Sequence, residues 1–348
     1  MRIRRTAGAI FVLLGLLAAS CGDDGGSSTP NTTASDSVTT TAANAAPTTQ
    51  SGSLNRALKV TSIGFPNEIV LQWANEKKIF DKYGVKVEFV KVGGGAASLA
   101  AVTTNAVDLG FTNGLTAIQA FSQGFGFKVV LGAYENAYPW DPAKGGGVVA
   151  TVKSGVQKPC DLEGKKVGVT ELGGIGQLYL QAWFRKKGCN VDNVNFVTVP
   201  AGQTTASLET DRVAATSIGA YVAQDLVRRG VAKLLGEVFS EVSGRMEYAM
   251  YIASNDFIAK YPATLTNFSK AMNESLAQVN DPKNRDEMLK MAAAYGNTTV
   301  DKIDPNSVQW EKLDTVVDID LLQNMVQILV DGGSIAKSID VTPMVYKP

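Results

Sequence analysis

The chain of 348 residues contains no histidine. That removes histidine acid–base catalysis, Ser-His and Cys-His nucleophiles, and the commonest zinc ligand. Only three cysteines are present, Cys21, Cys160 and Cys189, and the two beyond Cys21 are too few for a zinc cluster. Charge of neither sign prevails, with 33 basic and 33 acidic residues, so nothing points to nucleic acid or an anionic membrane surface as partner. After Cys21 no apolar run is long enough to span a bilayer. A dinucleotide fingerprint is also lacking. "GGGAAS" (93–98) has Gly93, Gly95 and a small residue at 98, but no acidic residue about 20 positions on, and Asp108 comes early. Neither a cofactor nor a metal is expected.

What is present begins at the N-terminus. Arg2, Arg4 and Arg5 precede an apolar stretch from Ala7 to Ala19, and the small residues Ala18, Ala19 and Ser20 lead to Cys21. This resembles the lipobox of bacterial lipoproteins, with one departure: Ala18 stands where leucine is common, and Leu17 is one step earlier. The resemblance implies a signal peptide over residues 1–20 and a lipidated Cys21 as mature N-terminus. Each buried methylene of an acyl chain contributes about 0.8 kcal/mol to such anchoring. Residues 21–56 are rich in Ser, Thr, Ala, Gly and Pro and carry almost no large apolar side chain. They bury too little surface to offset ordering entropy and are expected to be a disordered tether. The folded part is then held at the outer face of the cytoplasmic membrane, on its periplasmic or extracellular side.

Beyond residue 57 the chain is long enough for two lobes. Apolar β-branched runs alternate with helical patterns: strands at 57–65, 85–92, 106–113 and 127–134, then again at 165–171, 194–200 and 213–220. Ile69, Val70, Trp73 and Phe80 share one helical face, which stops at Tyr83-Gly84. Both halves repeat strand, glycine loop, helix, strand, helix, short strand, which implies parallel sheets with helices on their faces. After "MEYAMYIAS" (246–254) the chain reads as mostly helical to about 333.

Four stretches carry a family resemblance: "LQWANEKKIFDKYGVKVEFVKVGGG", "AVDLGFTNGLTAIQAFSQG", "DLEGKKVGVTELGGIGQLYLQAWFRKKGCN" and "ASNDFIAKYPATLTNFSKAM". In this order and spacing they resemble the periplasmic-binding-protein type II solute receptors of ATP-binding-cassette importers, within them the nitrate, sulfonate and taurine group, which is related to pyrimidine-precursor receptors. Two departures stand out. At 209–215, Asp211 takes the place of a family glycine and Ala214 that of an acid, whereas Asp108 is kept in the first half. The resemblance implies an α/β, two-lobed fold, each lobe a mostly parallel sheet flanked by helices. Lobe 1 is expected over 57–150 and 246–348 and lobe 2 over 151–245, with crossings near 145–155 and 243–253. Function is expected to be solute binding for an importer, with a permease and an ATPase as partners and no catalysis. A receptor for a thiamine-pathway pyrimidine precursor, or an enzyme on the same fold, is the alternative. The related pyrimidine synthase relies on histidine, absent here.

Ligands of open α/β sheets bind beyond the carboxyl ends of the strands. Those ends supply Phe65, Pro66, Gly93, Gly94, Gly95, Ser98, Thr112, Asn113, Thr170, Gly173, Gly174 and Tyr221 as candidate ligand-binding residues. The glycine loops lead into helix N-termini, whose free N–H groups favour an anion. A small organic anion or sulfonate-like solute is therefore expected. Glycines also simply make turns, Thr112 and Asn113 are placed to cap a helix from about 115, and Phe65, Phe111 and Tyr221 suit a core as well as a cleft. Trp140, in "YPWDPAKGGG", lies in a loop and is expected at the cleft mouth or over the hinge. Finally, Cys160 and Cys189 each shortly precede a strand of one pair of βα units. Such strands lie side by side and parallel, which brings both cysteines to one edge, away from the cleft, and predicts a disulfide.

Overall fold

The computed structural model describes residues 54–295, 298–303 and 309–347. The expected signal peptide, Cys21 and the tether up to residue 53 lie outside the described residues. The last three residues of the expected tether, 54–56, are attached to the fold. The Leu54 N–H donates to Thr264 Oγ1 at 3.3 Å, and Arg56 forms a bidentate pair with Asp108 at 2.6 and 2.7 Å.

The strands are β1 (Leu58–Ser62), β2 (Val87–Lys91), β3 (Leu109–Asn113), β4 (Phe127–Glu135), β5 (Gly147–Thr151), β6 (Lys166–Val169), β7 (Asn195–Thr198), β8 (Ala215–Ile218), β9 (Ala232–Gly236), β10 (Glu247–Ser254) and β11 (Lys312–Leu313). They form two sheets, ordered β11-β4-β10-β3-β1-β2 and β7-β6-β8-β5-β9. In the first, β1 runs parallel to β2 and β3, and β10 is inserted antiparallel between β3 and β4. In the second, β6 runs parallel to β7 and β8, and β5 is antiparallel to both β8 and β9. In the first sheet β10 and the two-residue β11 thus run against the other four strands, and in the second β5 runs against the other four; β10 and β5 are the strands that follow the inter-lobe crossings.

That reversal moves one boundary. Residues 147–150, expected in lobe 1, belong to the second sheet as part of β5. The chain leaves the first sheet after Glu135 and crosses through 136–146, and it returns at 244–246, between helix Val238–Ser243 and β10. The apolar runs expected to cross are the reversed strands themselves. All of β5 is buried, as an interior strand must be.

The lobes repeat each other in detail. The turn before β3 places Asn105 at φ +56°, and the turn before β8 places Asp211 at φ +56°. Left-handed backbone favours glycine, with Asn and Asp as the tolerated substitutes. In lobe 1 the Asp108 N–H donates to Lys59 O at 3.0 Å, and its carboxylate accepts from Lys59 N at 2.8 Å and from Arg56. In lobe 2 the Ala214 N–H makes the same backbone bond to Lys166 O at 2.8 Å. The β8 strand therefore keeps the pairing and loses only the carboxylate clamp.

One apolar core covers the outer face of sheet one, with Trp73, Phe80, Phe111 and Phe268 in it. Trp73 Nε1 donates to Gln278 Oε1 at 3.0 Å, which satisfies the indole inside that core. A second core runs from Val102 and Ile118 of lobe 1 to Trp183 and Phe184 of lobe 2. Helix Ile319–Asp331 joins it, packing on helices Gly114–Ser122 and Ile175–Lys186 with Leu322, Met325, Val326 and Leu329 buried. The two lobes are therefore tied by packed apolar side chains as well as by the two crossings. Cys160 and Cys189 form a disulfide, with Cα atoms 5.0 Å apart.

Candidate functional site

The carboxyl ends of the parallel strands in both sheets face one cavity of about 640 Å³. From lobe 1 come the loop after β1 (Gly64 to Asn67), the glycine loop Gly93 to Gly95, and Phe111 to Asn113 at the end of β3. Lobe 2 brings Thr170 and Glu171 after β6, Gly174 before helix Ile175–Lys186, and Ser217 to Tyr221 after β8. The crossing adds Asn136 and Trp140, whose Nε1 donates to Gly146 O at 2.9 Å. Trp140 thus sits at the hinge side of the cavity.

Ten of the expected residues reach this cavity: Phe65, Pro66, Gly93, Gly94, Gly95, Thr112, Asn113, Thr170, Gly174 and Tyr221. Two do not. Ser98 is fully buried, and its hydroxyl shares a 2.6 Å hydrogen bond with Thr61 in the seam between its helix and the sheet. A hydroxyl one turn into helix Gly95–Thr103 has rotated away from the cleft. Gly173, at φ +75°, makes the exposed turn before Gly174 and donates its N–H to Gln177 Oε1 at 2.7 Å. Two of the others already hold hydrogen bonds within the protein, and only Asn113 caps a helix. Asn113 Oδ1 accepts from Thr116 N at 2.9 Å, and the Thr112 hydroxyl donates to Gly95 O at 3.1 Å. Gly95 is required by close packing: a Cβ there would stand 2.8 Å from Asn113 Nδ2 and 2.9 Å from Thr112 Oγ1.

The glycine loops share the cavity wall with an acid of the chain itself. Gly94 and Gly174 are the N-caps of helices Gly95–Thr103 and Ile175–Lys186, and neither helix has a side-chain cap. Between them stands Glu171. Its Oε2 lies 3.4 Å from where a Cβ on Gly94 would stand and 3.2 Å from the same point on Gly174. Burial pushes this carboxyl above the usual carboxylate range. An acid of the chain itself therefore stands beside both helix N-termini.

Of the aromatic floor, sequence reading singled out Phe111 alone, and it missed the acid above the floor. Phe111, Tyr134, Tyr248 and Phe239 form a continuous run through the hinge. Phe111 and Tyr134 centroids are 6.3 Å apart, Tyr134 and Tyr248 stack at 5.1 Å, and Tyr248 and Phe239 meet edge-on at 4.9 Å. The signal was present in the alternation of β4 and β10, where Tyr134 and Tyr248 sit, but which face opens on a cavity is a tertiary property. Residues 309–311 enter the cavity from the segment before β11. Gln309 pins them to the crossing, accepting from Asp141 N at 2.9 Å and donating to Pro139 O at 2.7 Å. Trp310 follows, its buried Nε1 without a hydrogen-bond partner among the described residues. Next comes Glu311, whose carboxyl is held above its ordinary range by burial first and by Glu237 as well. Glu237 lines the cavity too and caps helix Val238–Ser243, accepting from Phe239 N and Ser240 N at 3.0 and 2.5 Å.

Residues 66–284, more than half of the chain, match the family model described as NMT1/THI5 like. No curated protein sequence matches the chain. Among solved structures, the fold is similar to that of the alkanesulfonate-binding protein SsuA of Xanthomonas axonopodis pv. citri bound to MOPS. That protein is 16% identical, the TM-score is 0.69, and 84% of this chain and 98% of that one are covered. The periplasmic nitrate-binding protein NrtA of Synechocystis is 14% identical, with a TM-score of 0.66 over 82% of this chain and 83% of that one. DszB in complex with biphenyl-2-sulfinic acid is 15% identical, with a TM-score of 0.57 over 83% and 96%. The likeness to these proteins is one of fold, the two-lobed periplasmic-binding-protein architecture.

Proposed function

The chain belongs to the NMT1/THI5-like family, and from that premise we propose that it is a lipid-anchored extracytoplasmic solute-binding protein of an ATP-binding-cassette importer. Cys21 is its anchor, residues 21–53 its leash, and the permease and ATPase of the importer its partners. The observation that carries this reading is the cavity itself: about 640 Å³, built from the strand ends of two sheets joined by two crossings. A volume in this range suits a small molecule. Lobe 1 comprises the first sheet with 54–135 and 247–347, and lobe 2 the second sheet with 147–243; solute enters between them and the lobes close on it. The organic anion expected from the glycine loops is not part of the proposal, because Glu171 stands between those loops.

An enzyme on this fold is the rival class, since fold does not fix function. The chain offers no histidine as a base. Two measurements test the proposal. Cys21→Ser is expected to release the protein from membranes or leave the precursor unprocessed, and unchanged detergent partitioning would count against the anchor. A solute found by thermal shift is expected to shrink the radius of gyration in solution scattering and to be recovered chemically unchanged. Conversion of the solute would establish the enzyme reading instead.

A further inference from the structure

We propose that the cleft selects an organic cation, an ammonium or amidinium group on an apolar or aromatic body. Glu311 supplies the counter-charge, and Tyr134, Tyr221, Tyr248 and Trp310 surround the ligand. The inference rests on the reading of the cleft as a solute site and adds the ligand's chemical class.

The charge of the cavity wall is the first argument. Its acids are Glu171, Glu209, Asp225, Glu237 and Glu311, and its bases are Arg229 and Lys302. Arg229 is already engaged, 2.5 Å from Glu209 and 3.2 Å from Asp225, and Lys302 is exposed on the turn Val300–Ile303. Neither neutralises Glu171 or Glu311. An anionic ligand seated at the glycine loops would face the Glu171 carboxylate and find no free arginine fork to offset it.

The surroundings of Glu311 are the second. Its carboxyl lies beside Asn67, and its charge is felt by the hydroxyls of Tyr134, Tyr221 and Tyr248. No cation contributes to its proton affinity, which burial raises. A half-buried carboxylate beside aromatic rings, with no cation paired to it among the described residues, gains from a cation that enters the cavity. Aromatic faces add their own attraction for ammonium and amidinium groups, because the ring quadrupole presents its negative face. Trp310 is the third observation. Its buried indole N–H has no partner among the described residues and lines the same cavity, so it points to an acceptor atom on the ligand's body.

The test uses the full-length protein in detergent and two probes of similar size and opposite charge, benzamidinium and benzenesulfonate, followed by calorimetry and thermal shift at low salt. Benzamidinium is expected to bind, and Glu311→Gln to weaken it by roughly tenfold or more, the loss of one charge-assisted contact. Glu171→Gln, on an open loop, is the second variant should Glu311→Gln disturb the fold, and its loss of affinity is expected to be smaller. Benzenesulfonate is expected to give no shift with the wild type. Binding of benzenesulfonate in preference to benzamidinium, binding of neither, or benzamidinium affinity unchanged in both Gln variants would overturn the inference. The first of these would leave the cleft standing as a solute site. Probe binding that also ignores Trp310→Phe would place the probe elsewhere and count against the cleft reading itself.

Discussion

Glu247→Gln is expected to stabilise the protein above neutral pH and to leave its stability unchanged near pH 5. Glu247 opens β10 immediately after the return crossing and pairs across the strands with Glu135. Both carboxylates are buried, but they are served unequally. Glu135 receives Arg245 at 2.8 Å and Lys312 at 2.7 Å. Glu247 receives one backbone N–H, from Asp318 at 2.7 Å. Burial, with Glu135, Asp314 and Asp318 adding repulsion, pushes the Glu247 carboxyl up to about 7. A carboxyl with a raised folded-state value binds its proton more tightly in the native state. Native protein therefore holds more protons than unfolded protein between about 4.5 and 7, and stability falls as pH rises through that window. Above it the ionised group costs on the order of 3 kcal/mol. Glutamine keeps the acceptor for the Asp318 N–H and cannot ionise. At pH 8 the variant should gain most of that amount, a rise in Tm of roughly 5 to 10 °C for a domain of this size. Denaturation of both proteins across pH 5 to 8 decides it. Two stability curves that run parallel with pH would refute the reasoning.

Three further outcomes follow from particular contacts. Reducing the Cys160–Cys189 bridge, which closes a separation of 29 residues, should cost about 3 to 4 kcal/mol in the chain-entropy account, read as a shift in denaturation midpoint with and without reductant. Gly95→Ala should destabilise by about 1 to 3 kcal/mol, because its Cβ would press on Thr112 and Asn113. Gly93→Ala, with open space around it, should stay within about 0.5 kcal/mol, and equal effects of the two would contradict the packing argument. Asp211→Gly relieves a left-handed residue whose side chain makes only an exposed pair with Lys153 at 3.1 Å, and thermal unfolding should show it roughly 0.5 kcal/mol more stable.

Repetition of strand, glycine loop and helix was legible because each unit obeys local rules: period-two apolar strands, glycine stops, and helix faces such as that of Ile69, Val70 and Trp73, all buried. The strands that escaped notice are the ones local rules describe poorly. β9 has a lysine inside it and ends at Gly236, φ +157°, and β11 is two residues long, defined only by its pairing with β4. The first crossing was placed a few residues late for a related reason, whereas the return at 244–246 lies within its expected range. An apolar run that enters a sheet antiparallel reads the same as one that bridges two sheets. The disulfide edge was legible, since parallel βα units dictate which ends come together.

The site was legible as an address and not as a chemistry, and Glu171 shows why. Strand ends and glycine loops locate a cleft, because topology alone decides where helix N-termini converge. What the cleft prefers depends on which side chains turn into it, and that is set by tertiary packing. An N-terminal dipole favours negative charge whether it comes from a solute or from the loop beside it. Here the loop following β6 brings Glu171 beside both glycine caps, where burial works against its ionisation. Glu311 adds a second acid to the same wall from the segment before β11. Converging helix N-termini fix where a ligand can sit, and the acids and bases that turn into the wall, which no strand or glycine pattern places, decide which charge is accepted there.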